Sequence, residues 1–369
     1  MATSAPHPVG ILPSQSLEQL MADGSIRLAQ PVGAKQIQPA SMDVRLGFKV
    51  YRVRASFLPG PGQTVADRLR DVALHEIDLT HGAVLETGAV YVAELLESLA
   101  LPEGVLAAAN PKSSTGRLDV FTRVITDRAT RFDQIDPLYH GPLFLEISPR
   151  TFPVLVRTGT ALAQIRLRNG EARLTDAELT QVQAKEKLVD AARVSIQNGV
   201  AVGVDLSGFG PDGLVGYRAK RFTGLVDMDR IAGYDVLDFW EPLHTRHGRS
   251  ELILDPGQFY ILASKEAVCV PPDFAAEMTP FDPLVGEFRV HYAGFFDPGF
   301  GHASAGASNT RAVLEVRSRD VPFILEDGQI VGRLVYERMA GRPRSLYGVA
   351  QGSNYQGQSL KLSKHFKTA

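Results

Sequence analysis

The sequence predicts a mainly β protein made of two tandem copies of one unit, joined by a helical connector. Three observations lead to this fold class. The chain has 369 residues, whereas a single hydrophobic core rarely serves more than about 250–300 residues. Short apolar runs alternate with turn residues along the whole chain, and segments of the first half recur in the second. Two β-rich domains are therefore expected.

The predicted strands are short runs rich in Val, Ile, Leu, Phe and Tyr, for example residues 48–53, 154–157 and 330–336. The 34 Gly and 23 Pro residues lie between such runs and are spread evenly along the chain. This pattern is typical of many short strands that are joined by tight turns. It therefore predicts a fold that is mostly β.

Two helices interrupt this pattern. One is predicted over residues 16–23, with Ser16 as its cap. The other is predicted over residues 175–194, near mid-chain, where apolar residues recur at roughly helical spacing. The longer helix is interpreted as a connector. The expected division is a first domain over residues 1–172, a helical linker over 173–200 and a second domain over 201–369.

An internal repeat relates the two halves. Residues 84–104 resemble residues 253–273, and the matched positions differ by 169 throughout. The matched pairs are Gly88 and Gly257, Tyr91 and Tyr260, Glu97 and Glu266, Pro102 and Pro271, Glu146 and Glu315, and Gly159 and Gly328. One offset that holds from Gly88 to Gly159 indicates that the halves are copies of one β-rich unit.

Composition and charge exclude several classes of function. The net charge is −2, so neither a nucleic-acid partner nor a membrane surface is expected, and a polyanionic ligand must be bound by a few local cations. The single cysteine, Cys269, is predicted to be a buried small hydrophobe. One cysteine excludes a disulfide framework, and it also excludes the ligand set of a zinc nucleoside deaminase. With no signal peptide apparent in residues 1–10, a reducing, cytoplasmic location is expected.

Four segments have residue types that suit chemistry, although each also has an ordinary structural interpretation. Residues 112–117 (KSSTGR) place hydroxyls and cations in one turn, which suits phosphate binding but also describes a solvated loop. Residues 291–301 predict an aromatic hairpin closed by an Asp-Pro-Gly turn. Glu315 lies between aliphatic residues of a strand, where it faces either solvent or a pocket that raises its pKa. Residues 352–358 form a polar tail, either disordered or a lid over ligand.

Taken together and in this order, these segments resemble the dCTP deaminase family. The resemblance also includes residues 41–47 (SMDVRLG), residues 293–300 (AGFFDPGF) and the closing segment 347–358. It implies the dUTPase-like fold, a distorted β-barrel or jelly-roll (β-clip) that assembles as a homo-oligomer. It also implies hydrolytic deamination of dCTP to dUTP and ammonia, in the supply of dUMP and dTTP precursors, with dTTP as a possible inhibitor.

The resemblance implies a role for each matched residue. Glu315 corresponds to the catalytic base, Ser113 to the serine that holds the attacking water, and Arg117 to the arginine that orients this serine. The remaining substrate contacts are Lys112, Ser114 and Tyr347 at the triphosphate, Asp297 at the 3′-hydroxyl, the main chain of Ala293 at the water and the pyrimidine, and the tail residues Tyr355 and Gln358, of which Gln358 lies over the pyrimidine. Apart from the resemblance, Phe295, Phe296 and Phe300 are expected to crowd the 2′ position and so to reject CTP. Mg²⁺ is expected to enter with the triphosphate, and no zinc or other metal activates the water.

Each half lacks part of the family pattern. The first half keeps Glu146 at the position of the catalytic glutamate, but its hairpin is altered at residues 132–139. The second half has residues 278–283 (MTPFDP) where the Ser-Ser-x-x-Arg motif belongs, and Asn354 replaces a lysine. We therefore expect one composite site, with the phosphate loop from the first half and the hairpin, Glu315 and tail from the second. A site within the first half that uses Glu146 is the alternative.

Other functions remain open at the level of sequence. Some members of the resembled family also cleave dUTP to dUMP and pyrophosphate, and plain dUTPases do only that. A different class would be a non-catalytic deoxynucleotide-binding regulator whose duplicated site has decayed. The retention of Ser113, Arg117, Glu315 and Gln358 favours an enzyme.

Overall fold

The computed structural model describes residues 8–245, 250–280, 288–291, 294–318, 320–348 and 352–368. The strands of the first half are β1 (Gly10–Ile11), β2 (Ile26–Leu28), β3 (Met42–Val53), β4 (Ala73–Asp78), β5 (Ala83–Leu85), β6 (Val90–Ala100), β7 (Val105–Pro111), β8 (Val120–Thr126), β9 (Gln134–Ile135), β10 (His140–Pro149), β11 (Val154–Val156) and β12 (Ala161–Asn169). The helices are α1 (Ser14–Ala22), α2 (Val65–Val72), α3 (Ser113–Gly116), α4 (Asp176–Glu186) and α5 (Val236–Phe239), with a 3₁₀ turn at Ala303–Ala305.

The strands of the second half are β13 (Val200–Gly203), β14 (Leu214–Ala219), β15 (Val226–Asp227), β16 (Trp240–His244), β17 (Glu251–Leu254), β18 (Phe259–Ala267), β19 (Phe274–Pro280), β20 (Phe288–His291), β21 (Phe295–Phe296), β22 (Arg311–Ser318), β23 (Phe323–Glu326) and β24 (Ile330–Arg338). The prediction of a mainly β chain is confirmed. The apolar runs predicted at residues 48–53 and 330–336 lie within β3 and β24, and the run at 154–157 forms β11 up to Val156.

Both predicted helices differ from the structure at their ends. Helix α1 begins at Ser14 after Pro13, which is its N-cap, so Ser16 is not the cap. The connector helix does not extend to residue 194 but ends at Glu186, because Lys187 adopts a left-handed conformation with φ of 51°. The start of this helix is fixed by a capping box, in which the Thr175 hydroxyl accepts from the Glu178 amide.

The two halves share one pattern of strand pairing. In the first half the central path runs β8-β10-β6-β3-β12-β7-β9. The second half divides the equivalent path into two sheets, β16-β14-β18-β22-β20 and β13-β24-β19-β21. The pairs β6 with β10 and β18 with β22 correspond, and both are antiparallel. The repeat seen in the sequence is therefore a repeat of the sheet.

Individual contacts of the repeat recur at the same offset of 169. The hydroxyl of Tyr91 accepts from the Glu86 amide at 3.0 Å, and the hydroxyl of Tyr260 accepts from the Asp255 amide at 2.9 Å. The cross-strand pairs recur likewise, Glu146 with Val92 and Glu315 with Ile261. The copies therefore present the two glutamates at equivalent positions of equivalent strands.

The two halves pack against each other over a continuous core. Strand β15 of the second half pairs in parallel with β11 of the first. The main hydrophobic cluster joins first-half residues to Trp240, Ile261, Val313 and Phe366. Because the halves pack together through this core, residues of both halves can line a cleft between them. No helix in the described part of the chain is long and apolar enough to span a bilayer.

The prediction for Cys269 was wrong in one respect, because this side chain is half-buried and not fully enclosed. Its main-chain amide donates to the carbonyl of Leu188 at 2.8 Å, which ties the connector to the second half. Partial burial raises the pKa of the thiol to about 11. A thiol with so high a pKa is a poor nucleophile near neutral pH.

Candidate active site

A cavity of about 490 Å³ opens between the two halves. Its first-half wall comes from the loop before β3, from β3 itself, from the turn at α3 and from β12. Its second-half wall comes from the β21 hairpin, β22 and the C-terminal tail. The first-half wall includes Lys35, Asp43, Lys112, Ser113, Ser114, Arg117 and Gln164, and the second-half wall includes Phe295, Asp297, Phe300, Glu315, Tyr347, Asn354, Tyr355, Gln358 and Lys364.

The residues predicted for the site meet in this cavity. Those that line it are Lys112, Ser113, Ser114, Arg117, Asp297, Phe300, Glu315, Tyr347, Tyr355 and Gln358. Ala293, whose main chain was predicted to contact the pyrimidine, lies outside the described residues. The phosphate loop of the first half and the glutamate and tail of the second therefore share one cavity within a single chain.

Glu315 is a buried carboxyl on the cavity wall. Only 5% of it is exposed, and no residue among those described donates a hydrogen bond to its carboxyl oxygens. Burial raises the pKa of Glu315 to about 8, with Arg117 opposing the rise and Asp119 adding to it. A carboxyl that titrates near neutral pH can accept a proton and return it during one reaction cycle.

The environment of Glu146, its counterpart in the first half, differs. Glu146 is also buried, but the guanidinium of Arg123 donates to its Oε1 from Nε at 3.0 Å and from Nη2 at 2.6 Å. The same guanidinium lies 3.5 Å from the ring centroid of Phe132. Glu146 does not line the cavity. This carboxylate is therefore held in a salt bridge and does not face an open site.

Arg117 connects the phosphate loop to the tail. It follows the single turn of α3 and is 3% exposed. Its Nη1 donates to Gln358 Oε1 at 3.0 Å and to the Lys361 carbonyl at 2.8 Å, and its guanidinium lies 3.9 Å from the Tyr355 ring centroid. Within the described chain, these two tail contacts are the side-chain hydrogen bonds that Arg117 makes. It makes none to the Ser113 hydroxyl, which it was predicted to orient. Its Nε is buried and has no hydrogen-bond partner among the described residues.

The phosphate loop is fixed by contacts from both sides. Lys112, in extended conformation before α3, forms a close salt bridge with Asp43 of β3. The carbonyl of Ser114 accepts from the Ser363 hydroxyl at 2.7 Å. Burial raises the pKa of Asp43, and Lys112 opposes the rise. The loop therefore brings two serines, Ser113 and Ser114, and one paired cation to the cavity.

Arg166, which the sequence analysis missed, crosses between the halves and holds the hairpin that bears Asp297. Its Nη2 donates to Asp297 Oδ1 at 3.0 Å and to the Phe296 carbonyl at 3.2 Å, and its Nη1 donates to the Ala276 carbonyl at 3.0 Å. The guanidinium lies 4.2 Å from the Phe295 ring centroid. The available signal was a cation between two aliphatic residues, Ile165 and Leu167, in the middle of strand β12.

The tail is not a free end. Phe366 is 4% exposed and packs edge-on against Phe239 and Trp240, with centroid separations of 5.4 and 5.9 Å. His365 is fully buried, with Nε2 at 3.1 Å from the Met228 carbonyl, and burial lowers the pKa of this imidazole to about 4. The tail thus lines the cavity from Gly352 to Lys364 and is anchored beyond it, because Phe366 packs into the main hydrophobic cluster.

Comparisons with known proteins assign the family. The fold and the cavity define a two-domain enzyme of the dUTPase-like fold. Residues 8–171 match the family model described as 2′-deoxycytidine 5′-triphosphate deaminase N-terminal domain, and residues 175–366 match the C-terminal domain of the same family. The chain belongs to the 2′-deoxycytidine 5′-triphosphate deaminase family. The predicted enzyme class, a hydrolase acting on the cytosine amino group, is confirmed.

Similar proteins agree with this assignment. A crystal structure of 2′-deoxycytidine 5′-triphosphate deaminase from Agrobacterium tumefaciens is 60% identical, covers 91% of this chain and 100% of that chain, and superposes with a TM-score of 0.87. The dCTP deaminase of Actinobacillus pleuropneumoniae is 30% identical over 157 residues, 40% of this chain and 78% of that protein. The "dCTP deaminase, dUMP-forming" of Beutenbergia cavernae is 34% identical over 152 residues, 39% of this chain and 74% of that protein.

Proposed function

We propose that the protein converts dCTP and water to dUTP and ammonia, with Glu315 as the group that moves protons. The observation that carries the proposal is the contrast between the two glutamates. Glu315 is a buried, unpaired carboxyl with a pKa of about 8 on the wall of the cavity, whereas Arg123 neutralises Glu146 outside it. A pKa near the working pH is the property that a general acid–base group needs.

The reaction requires two proton transfers. The water oxygen bonds to C4 of the cytosine, and Glu315 takes one water proton and delivers it to N3. The second water proton moves to the amino group, the C4–N bond breaks, and ammonia leaves. Ser113 holds the water, and the positive charge of Arg117 on the cavity wall stabilises the negative charge that develops on the substrate. One carboxyl serves both transfers because it starts as a base and ends as an acid.

The rest of the cavity positions the substrate. Asp297, fixed by Arg166 and Ser41, accepts from the 3′-hydroxyl of the sugar. Phe300, which packs at 5.0 Å from Phe296 and 5.9 Å from Tyr347, fills the space beside the 2′ carbon and disfavours a ribose. Aromatic rings so packed cannot move aside without losing their contacts.

The triphosphate and the pyrimidine are bound at opposite ends. Lys112, Ser114 and Tyr347 bind the phosphates, and Mg²⁺ enters with them. The described residues contain no group of three or more His, Cys, Asp or Glu side chains that could hold a metal of their own. Gln358 accepts from Arg117 and donates to the Arg311 carbonyl at 3.0 Å, so it closes the tail over the pyrimidine end.

The experiment is to incubate the protein with dCTP and Mg²⁺ and to measure ammonia, dUTP, dUMP and pyrophosphate together. One ammonia for each dUTP, without pyrophosphate, is the expected result. CTP under the same conditions is expected to react much more slowly. Binding of dCTP without ammonia release would contradict the proposal and favour a nucleotide-binding regulator.

A second candidate is a bifunctional deaminase that also cleaves the triphosphate. One observation favours it, because the Beutenbergia cavernae relative is named as dUMP-forming. The same experiment separates the two. Ammonia accompanied by equal amounts of dUMP and pyrophosphate, together with pyrophosphate release from added dUTP, would establish the bifunctional reaction in place of simple deamination.

A further inference from the structure

The tail continues beyond Gln358 and brings a further cation to the cavity. Lys364 lines the cavity and is half-buried. Its main chain is held on both sides, because its amide donates to the Tyr355 hydroxyl at 3.3 Å and its carbonyl accepts from the Ala232 amide at 3.0 Å. The preceding residue, Ser363, bonds to the carbonyl of Ser114 in the phosphate loop. The position of Lys364 is therefore fixed beside that loop.

The charges at this end of the cavity leave Lys364 without a partner. Lys112 is neutralised by its salt bridge with Asp43, and Asn354 is uncharged. Lys35 also lines the cavity, but it is exposed to water, which screens its charge. The ammonium of Lys364 makes no hydrogen bond or salt bridge to any residue in the described part of the chain.

A half-buried cation that makes no hydrogen bond to a counter-charge is unfavourable, unless an anion occupies the space beside it. Burial lowers the pKa of Lys364, with Lys112 adding to this effect and Asp43 and Asp229 opposing it. A bound triphosphate would stabilise the charged form of Lys364, because phosphate oxygens form strong charge-assisted hydrogen bonds with an ammonium group.

We propose that Lys364 binds the triphosphate of the substrate and supplies the positive charge that Asn354 lacks. The anchor formed by His365 and Phe366 is what makes this possible, because it holds the residue before it at the cavity wall. The proposal rests on the proposed function, since it takes a deoxynucleoside triphosphate as the ligand. It assigns a binding role to a segment that follows the tail glutamine.

The test compares Lys364→Gln with the matched control Lys367→Gln. Lys367 lies on the same segment, but it is exposed and pairs with Asp235 at 2.8 Å on the surface. Each variant is assayed for kcat and KM with dCTP, and for the dissociation constants of dCTP and deoxycytidine. Lys364→Arg, which keeps the charge, is the third variant.

Lys364→Gln is expected to raise the KM and the dissociation constant for dCTP by about tenfold or more, the usual effect of losing a hydrogen bond to a charged group. Its affinity for deoxycytidine and its kcat stay within about twofold, since the lost contact is to phosphate only. Lys364→Arg restores most of the dCTP affinity, and Lys367→Gln resembles the parent protein.

Two results would overturn the assignment. One is unchanged dCTP affinity in Lys364→Gln. The other is an equal loss for dCTP and deoxycytidine, which would mean that the substitution only loosens the tail. Failure of the proposed function is distinct, because the parent protein itself would then release no ammonia from dCTP.

Discussion

The two glutamates at the repeat positions differ in their neighbours and not in their backbone. Glu146 and Glu315 lie on equivalent strands, opposite Val92 and Ile261, and both are buried. Arg123 forms a salt bridge with Glu146, whereas the carboxyl of Glu315 lies on the cavity wall. The comparison teaches that duplication preserved the sheet, while the side chains facing each strand decide whether a carboxyl is available for chemistry.

The largest expected effect on activity comes from substituting the two glutamates themselves. Glu315→Gln is expected to lower kcat for dCTP by about 10²–10⁴-fold, because the amide cannot move a proton. Glu146→Gln is the matched control and is expected to keep most of the activity. Steady-state ammonia release measures both. Loss of activity in Glu146→Gln with retention in Glu315→Gln would assign the reaction to the first half.

The next effect concerns the residue that joins the halves. Arg166→Met is expected to lower the free energy of unfolding by about 3–5 kcal/mol, because it leaves the buried Asp297 without its partner. Arg168→Met, two residues along the same strand, is the control. Arg168 is partly exposed in its salt bridge with Glu337, so a loss of about 1 kcal/mol or less is expected. Urea unfolding measures both, and equal losses would contradict the role given to Arg166.

The last of these effects is a pH dependence of stability that belongs to Glu315. Its pKa in the folded protein is about 8, above the value of an unfolded glutamate, so its stabilising contribution is complete at low pH. That contribution is lost as pH rises from about 4.5 through about 8, on the order of a few kcal/mol. Glu315→Gln removes the titration.

Melting temperatures at pH 5 and pH 8.5 measure this effect. The parent protein and Glu315→Gln are expected to differ little at pH 5, and the variant is expected to be the more stable at pH 8.5. A difference that is the same at both values would mean that Glu315 ionises normally. Glu146→Gln serves as the comparison, because this substitution removes the salt bridge with Arg123 and leaves Glu315 unchanged.

The sequence predicted the parts of the molecule that local patterns encode. The β-rich fold and the repeat followed from short runs and matched positions, whereas Ser113, Arg117 and Glu315, which line the cavity, were assigned to the site through the resemblance of their motifs to one family. The early end of the connector helix did not, because it depends on the left-handed conformation of a single lysine, Lys187.

Contacts between distant residues were beyond such patterns. Arg166 and Asp297 are 131 residues apart, and Arg117 and Gln358 are 241 apart. The salt bridge between Arg123 and Glu146 depends on the pairing of β8 with β10, which places the two residues opposite each other. No periodicity or motif in one segment specifies such partners, since they are selected by the packing of the two halves.

The cavity between the halves also changes how the site responds to dilution. Ser113 and Glu315 face one space from opposite walls of a single polypeptide, so their encounter is governed by an effective concentration set by the chain and not by the amount of protein present. Activity per chain should therefore stay constant as the protein is diluted. A site assembled from separate subunits would instead lose activity per chain on dilution, because the subunits dissociate. The covalent link also leaves each copy free to lose what the other keeps.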